Sequence, residues 1–198
     1  RPWGVNLPVF HKHTADQVQI CIDEGVKIVF TSAGSPKAYG PALKAAGATL
    51  VHVVATGAQA KKCQDAGCDA VVAEGFEAGG HNGPDELTTM VLTRLAVDAV
   101  TVPVIAAGGI SDGRSMAAAF ALGAEGVQVG SRFAVTAESS AHAAYKGAVT
   151  GAGETDTVLA LKRVAPARFL KTAFWDVVRE AEGRGASIEE LRELAGAG

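Results

Sequence analysis

Three short stretches of this sequence combine residue types and spacing that could do chemistry. The first is Glu74-Gly75-Phe76-Glu77-Ala78-Gly79-Gly80-His81-Asn82-Gly83. A glycine pair lets backbone approach a flat ligand and bares its N–H groups. An imidazole beside it, at His81, can take or give a proton near neutral pH. Residue type alone equally allows a surface histidine without a role; the flanking glycines and the length of the loop favour function. The second and third stretches are Ala106-Ala107-Gly108-Gly109-Ile110-Ser111-Asp112-Gly113 and Gln128-Val129-Gly130-Ser131-Arg132-Phe133. Each follows a β-branched run and leads into a helical pattern. Two such turns in succession make a phosphate cradle of backbone N–H groups, with helix dipoles favouring the anion and the Ser131 hydroxyl as a further donor. Either turn alone is a weak signal.

Other polar residues carry less. Asn6 ends the first apolar run, where an amide can hydrogen-bond the edge of a heterocycle or cap a turn. Glu74 could bind a cation, hold His81 or be solvated. Thr88 reads as the cap of the next helix. His11, His13, His52 and His142 lack glycine company, and no metal site is expected. Cys21, Cys63 and Cys68 are odd in number and contain no C-x-x-C, which suits reduced, buried thiols in a cytoplasmic protein.

These residues need elements to position them. Apolar runs at 4–8, 27–31, 49–54, 70–73, 102–106 and 126–129 read as strands. Amphipathic patterns at 15–24, 36–46, 57–66, 88–99 and 113–122 read as helices between them. Gly25, Gly47, Gly67 and Gly123 stand where helix C-caps belong. The alternation is that of parallel βαβ units. The strand markers Val5, Ile28, Leu50, Val71, Val104 and Val127 recur at near-constant steps, the 74–87 loop filling the one long step. This regularity favours an α/β barrel over a doubly wound sheet. A TIM (β/α)₈ barrel needs eight strands, so the first two are expected to be missing from this chain, which also begins without Met. The barrel is expected to occupy 1–147. A C-terminal helical extension at 148–198 would carry helices at 168–181 and 187–195, the second opened by a Ser187–Glu190 capping box.

With 198 residues, a net charge of −3 and scattered Lys and Arg, nucleic acid is excluded as a natural partner. No apolar stretch is long enough to span a membrane, and the N-terminal residues are not a signal peptide.

Gly4-Val5-Asn6, the Glu74–Gly83 stretch, Pro103-Val104-Ile105-Ala106-Ala107-Gly108-Gly109-Ile110 and Gly123-Ala124-Glu125-Gly126-Val127-Gln128-Val129-Gly130-Ser131-Arg132-Phe133 closely resemble the nitronate monooxygenase family, formerly the 2-nitropropane dioxygenases. The flavin-dependent enoyl-ACP reductases of type II belong to the same superfamily. The resemblance implies a TIM barrel with FMN at its C-terminal face. Asn6, Gly79 and Gly80 would lie along the flavin. Gly108, Gly109, Gly130 and Ser131 would hold its phosphate with Gln128 close by, and His81 would be catalytic. The implied activity is oxidation of alkyl nitronates by O₂ to a carbonyl compound and nitrite. The alternatives are NAD(P)H-dependent enoyl-ACP reduction and a non-catalytic flavin or phosphate binder. A small-molecule substrate is the expected partner, with a homodimer left open. Ser131 stands where the family commonly has Thr, and Pro84-Asp85-Glu86 lengthens the stretch after His81 relative to the reductases.

Overall fold

The computed structural model describes residues 2–197. Among them, β1 (Val5–Pro8), β2 (Ile28–Ser32), β3 (Thr49–Val54), β4 (Ala70–Glu74), β6 (Val104–Ala107) and β7 (Gly126–Gln128) pair in that spatial order. Every pairing in the series is parallel. Helices α1 (Thr14–Asp23), α2 (Gly40–Ala45), α3 (Gly57–Asp65), α4 (Thr89–Ala99) and α5 (Gly113–Ala121) connect successive strands. The glycines after four of these helices adopt the left-handed conformation of a C-cap.

Burial separates the two faces of the sheet. Val29, Leu50, Val71 and Val104 pack against Val18, Leu43, Ala60 and Leu92 of the helices. Alternate residues, Phe30, Val51, Val53, Val72, Ile105 and Ala107, cluster with one another and with no helix. Helices α1 to α4 thus share one face, and strand side chains fill the other. That is the layering of a barrel wall; a doubly wound sheet carries helices on both faces. The sheet is not closed: β1 and β7 are its edges. The α/β fold is thus a parallel barrel wall of six strands.

Local chemistry explains where elements differ from expectation. The 36–46 pattern is split into a 3₁₀ turn (Pro36–Ala38) and α2, because Pro41 lacks an N–H and is tolerated only in a helix's first turn. A two-residue strand, β5 (Gly80–His81), lies inside the long loop. After β7 come α6 (Ser131–Ala134) and α7 (Ala143–Gly151), then β8 (Thr157–Ala160) and β9 (Ala167–Leu170). The helix expected at 168–181 therefore begins late: α8 spans Ala173–Gly183, and Arg168–Leu170 are strand. Strand β9 finds partners on both sides, β8 and β5, and this pairing takes Arg168–Leu170 out of the helix expected there. Helix α9 (Ile188–Ala197) starts as expected with Glu190 N–H donating to Ser187 Oγ at 3.1 Å. Its box is half made, because the Glu190 carboxylate pairs with Arg184. Leu161, Val178, Ala181 and Leu191 form a second apolar core, joined by Phe169 and Trp175.

Candidate functional site

A cavity of about 970 Å³ opens at the C-terminal ends of the strands, lined by inner-face residues and, at one side, by His52 and α3. Asn6 of β1, Ser32 of β2, Val53 of β3, Glu74 of β4 and Gln128 of β7 line it, with Gly79, His81 and Asn82 of the long loop. A smaller hollow of about 240 Å³ adjoins it, lined by Gly108, Gly109, Ser111, Gly130, Ser131 and Arg132. Glu74, Gly79 and Gln128 line both, so the two spaces share a wall. Strand register explains the junction: Glu74 pairs with Ala107, and Ala107 with Gln128. Side chains two residues apart share a face, so Glu74 follows Val72 onto the interior.

The hollow suits a phosphate. Among the described residues, the N–H groups of Gly109, Ile110, Gly130 and Ser131 donate to no protein acceptor. A Cβ on Gly79 would stand 3.4 Å from Ser131 Oγ, across the hollow. Gly108 is required: its φ is +103°, and a Cβ there would lie 2.7 Å from the Gly75 carbonyl oxygen. Arg132 adds a guanidinium. One element of the expected cradle is corrected. The N-terminus of α5 is already capped by Asp112, whose Oδ1 accepts from Arg114 N–H at 3.1 Å and Ser115 N–H at 2.9 Å. Those donors and much of that dipole serve the protein's own carboxylate. Bonding by Ser115 and Arg114 holds the Asp112 carboxyl below its usual range.

The loop that carries His81 is tightly tied. Glu77 caps the start of α4, its Oε2 accepting from Thr89 N–H at 2.9 Å. Phe76 N–H donates to Leu87 O at 2.9 Å, closing the loop on itself. Gly83 crosses the end of β3 so closely that a Cβ would meet Ala55 at 2.2 Å. Strand β5 pairs antiparallel with β9, Gly80 opposite Arg168 and His81 opposite Ala167. Asn82 N–H donates to Pro166 O at 2.8 Å, and Arg168 Nε–H to Phe76 O at 3.1 Å. His81 is exposed at the cavity.

The sequence-derived candidates thus fall into three groups. Asn6, His81, Gly79 and Gln128 meet around the larger cavity, and Gly108, Gly109, Gly130 and Ser131 around the smaller one. Gly80 lines neither; it is engaged in β5 with φ +87°. Glu74 makes no hydrogen bond to His81 among the described residues; burial without a partner pushes its carboxyl up. Sequence reading passed over Arg132, although it stands inside the quoted motif, and Arg168, for which no local signal existed. It also passed over His52, which is buried and lines the larger cavity.

Free backbone donors at the end of a parallel barrel wall thus stand beside a histidine-bearing loop. The nitronate monooxygenase family model matches residues 4–197. The chain belongs to the nitronate monooxygenase family, whose characterised members are oxidoreductase enzymes. It is 36% identical over 186 residues to the (3aS,4S,5R,7aS)-5-hydroxy-7a-methyl-1-oxo-octahydro-1H-indene-4-carboxyl-CoA dehydrogenase of Rhodococcus jostii, covering 93% of this chain and 51% of that protein. It is 41% identical to the nitronate monooxygenase of Pseudomonas aeruginosa, covering 67% of this chain and 40% of that protein. The structure of FabK from Thermotoga maritima superposes with a TM-score of 0.90 at 44% identity, over 98% of this chain and 61% of that one. The chain spans about half the length of curated relatives it matches. Among the described residues, no helix is long and apolar enough to cross a membrane.

Proposed function

We propose that this chain carries the FMN-binding and catalytic face of an oxidoreductase that oxidises alkyl nitronates to a carbonyl compound and nitrite. The observation that carries the reading is the joining of the two spaces. A hollow of about 240 Å³ rich in free backbone donors opens, past Glu74, Gly79 and Gln128, onto the cavity where His81 stands. When bound, FMN supplies the electron acceptor, with O₂ as the final oxidant. Gly108, Gly109, Gly130 and Ser131 hold its phosphate through N–H and O–H donors, and Arg132 offsets its charge. Gly79 would let the ring approach the backbone, and Asn6 and Gln128 would offer it amides. His81 donates a hydrogen bond to the nitro oxygens of an anionic substrate, or accepts the α-proton of a neutral nitroalkane. The three buried free thiols accord with a cytoplasmic setting. A separate apolar core around Val178 and Leu191 supports a C-terminal unit apart from the barrel wall, although α7 (Ala143–Gly151) runs across the boundary expected at residue 147.

A second reading has its own support. The larger cavity continues past Ser35 and Lys37 to Gln59 and Lys62, beyond the residues assigned to the flavin ring. It suits a longer substrate such as an acyl thioester, reduced at its enoyl bond with NAD(P)H. FabK, the enoyl-ACP reductase II of the superfamily, and the indene-carboxyl-CoA dehydrogenase of Rhodococcus jostii, named for a thioester, accord with that class. Anaerobic addition of nitronate or NADH to the flavin-loaded chain separates the readings. Bleaching by nitronate, with oxygen uptake on readmitting air, supports the first. Bleaching by NADH with loss of crotonyl-CoA supports the second. A protein that takes up no flavin overturns both.

A further inference from the structure

We propose that Arg168, in the C-terminal hairpin, is the positioning residue that holds His81 at the cavity. The inference rests on His81 as the residue that meets the substrate. Strand β5 has two residues, too few to hold a shape unaided. Its geometry comes from β9, where Arg168 stands opposite Gly80, directly before His81.

The side chain of Arg168 extends this pairing in three directions. Its Nε–H donates to the Phe76 carbonyl at 3.1 Å. One terminal NH₂ donates to Thr157 Oγ1 of β8 at 3.2 Å. Its guanidinium lies 5.5 Å from the centre of the Phe76 ring. Phe76 is tied in turn to Leu87, at the far end of the loop. One planar fork thus joins both strands of the hairpin to the base of the loop that presents His81. An ion pair between these segments, Lys162 with Glu86, is partly solvated and contributes little.

The smaller hollow takes its free donors from the turns after β6 and β7 and touches no residue of the hairpin, although Glu77, Ala78 and Gly79 of the loop form one of its walls. Loss of Arg168 therefore loosens His81 while leaving the donor turns after β6 and β7 in place. Misplacing a reacting group by about an ångström costs up to about a hundredfold in rate. Lysine is no substitute, because an ammonium cannot donate from two fixed positions while stacking on a ring.

The test uses the flavin-loaded chain with the substrate that bleaches it. Arg168→Ala is expected to lower kcat at least tenfold with FMN affinity within twofold. Guanidinium ion at non-denaturing, millimolar concentration should restore part of that loss, and Arg168→Lys should stay low. Thr157→Val, which removes one partner, should lose two- to threefold; Lys162→Gln should lose nothing. The His81 imidazole NMR signals of the chain should shift and broaden in Arg168→Ala. A kcat loss that follows the unfolded fraction, without guanidinium rescue and with unmoved His81 signals, overturns the proposal. So does wild-type kcat in Thr157→Val together with full activity in Arg168→Lys. If His81→Asn itself leaves kcat unchanged, the catalytic reading fails, while the NMR result still decides whether Arg168 places His81.

Discussion

Thr31 Oγ1 lies 2.7 Å from His52 Nδ1 between the sheet and its helices, both residues almost fully buried. Adjacent strands bring them together, Thr31 pairing with His52 in the β2–β3 register. The imidazole also contacts the Gly34 backbone, at a turn where Ala33 has φ +54°. The pair therefore braces the rim of the larger cavity.

Burial pushes the His52 pKa below its ordinary 6.5, and the Gly34 contact offsets part of that. The unfolded chain then takes up the proton first. Stability is complete above about pH 6.5 and is lost as pH falls from there toward the folded value. Urea midpoints between pH 7 and 5 should show this acid limb, and His52→Gln should flatten it. Thr31→Val should cost about 1–3 kcal/mol at neutral pH by stripping a buried nitrogen of its partner. An unchanged midpoint for Thr31→Val would remove the pair from the account of stability.

Glu74 behaves with the opposite sign. Burial raises its carboxyl above the ordinary 4.5, so the folded chain holds the proton to higher pH than the unfolded one. Stability from this group is present at low pH and is lost as pH rises through the raised folded value. Glu74→Gln should abolish that decline. It should also raise the midpoint potential of bound flavin, because a nearby carboxylate disfavours added negative charge. Dye equilibration measures the potential; a lower value in the variant counts against Glu74 lying near the ring.

The phosphate hollow makes a prediction that depends on the ligand. Charge-assisted hydrogen bonds contribute about 1.5–3 kcal/mol. Arg132→Ala should thus weaken FMN binding about tenfold or more, and Ser131→Ala severalfold. Riboflavin, which has no phosphate, should bind both variants like wild type. Fluorescence titration with the two flavins reads the difference. Equal weakening for both would place the phosphate elsewhere.

His81→Asn should slow reduction of the flavin about a hundredfold or more while leaving its bound spectrum intact. Stopped-flow absorbance under anaerobic conditions measures the step, and an unaltered rate dismisses the imidazole from it.

The repeat of strand and helix was legible because it is local. Apolar periodicity in Val29, Leu50, Val71 and Val104 and the glycine after each helix are written residue by residue. The two glycine turns were legible for the same reason, since each needs only its own backbone conformation. Pairing between distant segments leaves no such mark. Gly80 and Arg168 are far apart in sequence, and nothing near either one announces that they share a sheet. Asp112 stands before a helical pattern, yet that its carboxylate already takes the Arg114 and Ser115 N–H groups emerges only in the folded chain. Glu74 could be a ligand, a brace for His81 or a solvated group until the β4–β6–β7 register set it on the wall shared by both cavities. Sequence alone determined the elements and the chemical character of their ends, because these follow from short-range sterics and hydrogen bonding. Which ends meet, which donors stay free and what holds His81 in place were decided by tertiary structure, because they depend on side chains brought together only by the closing of long loops.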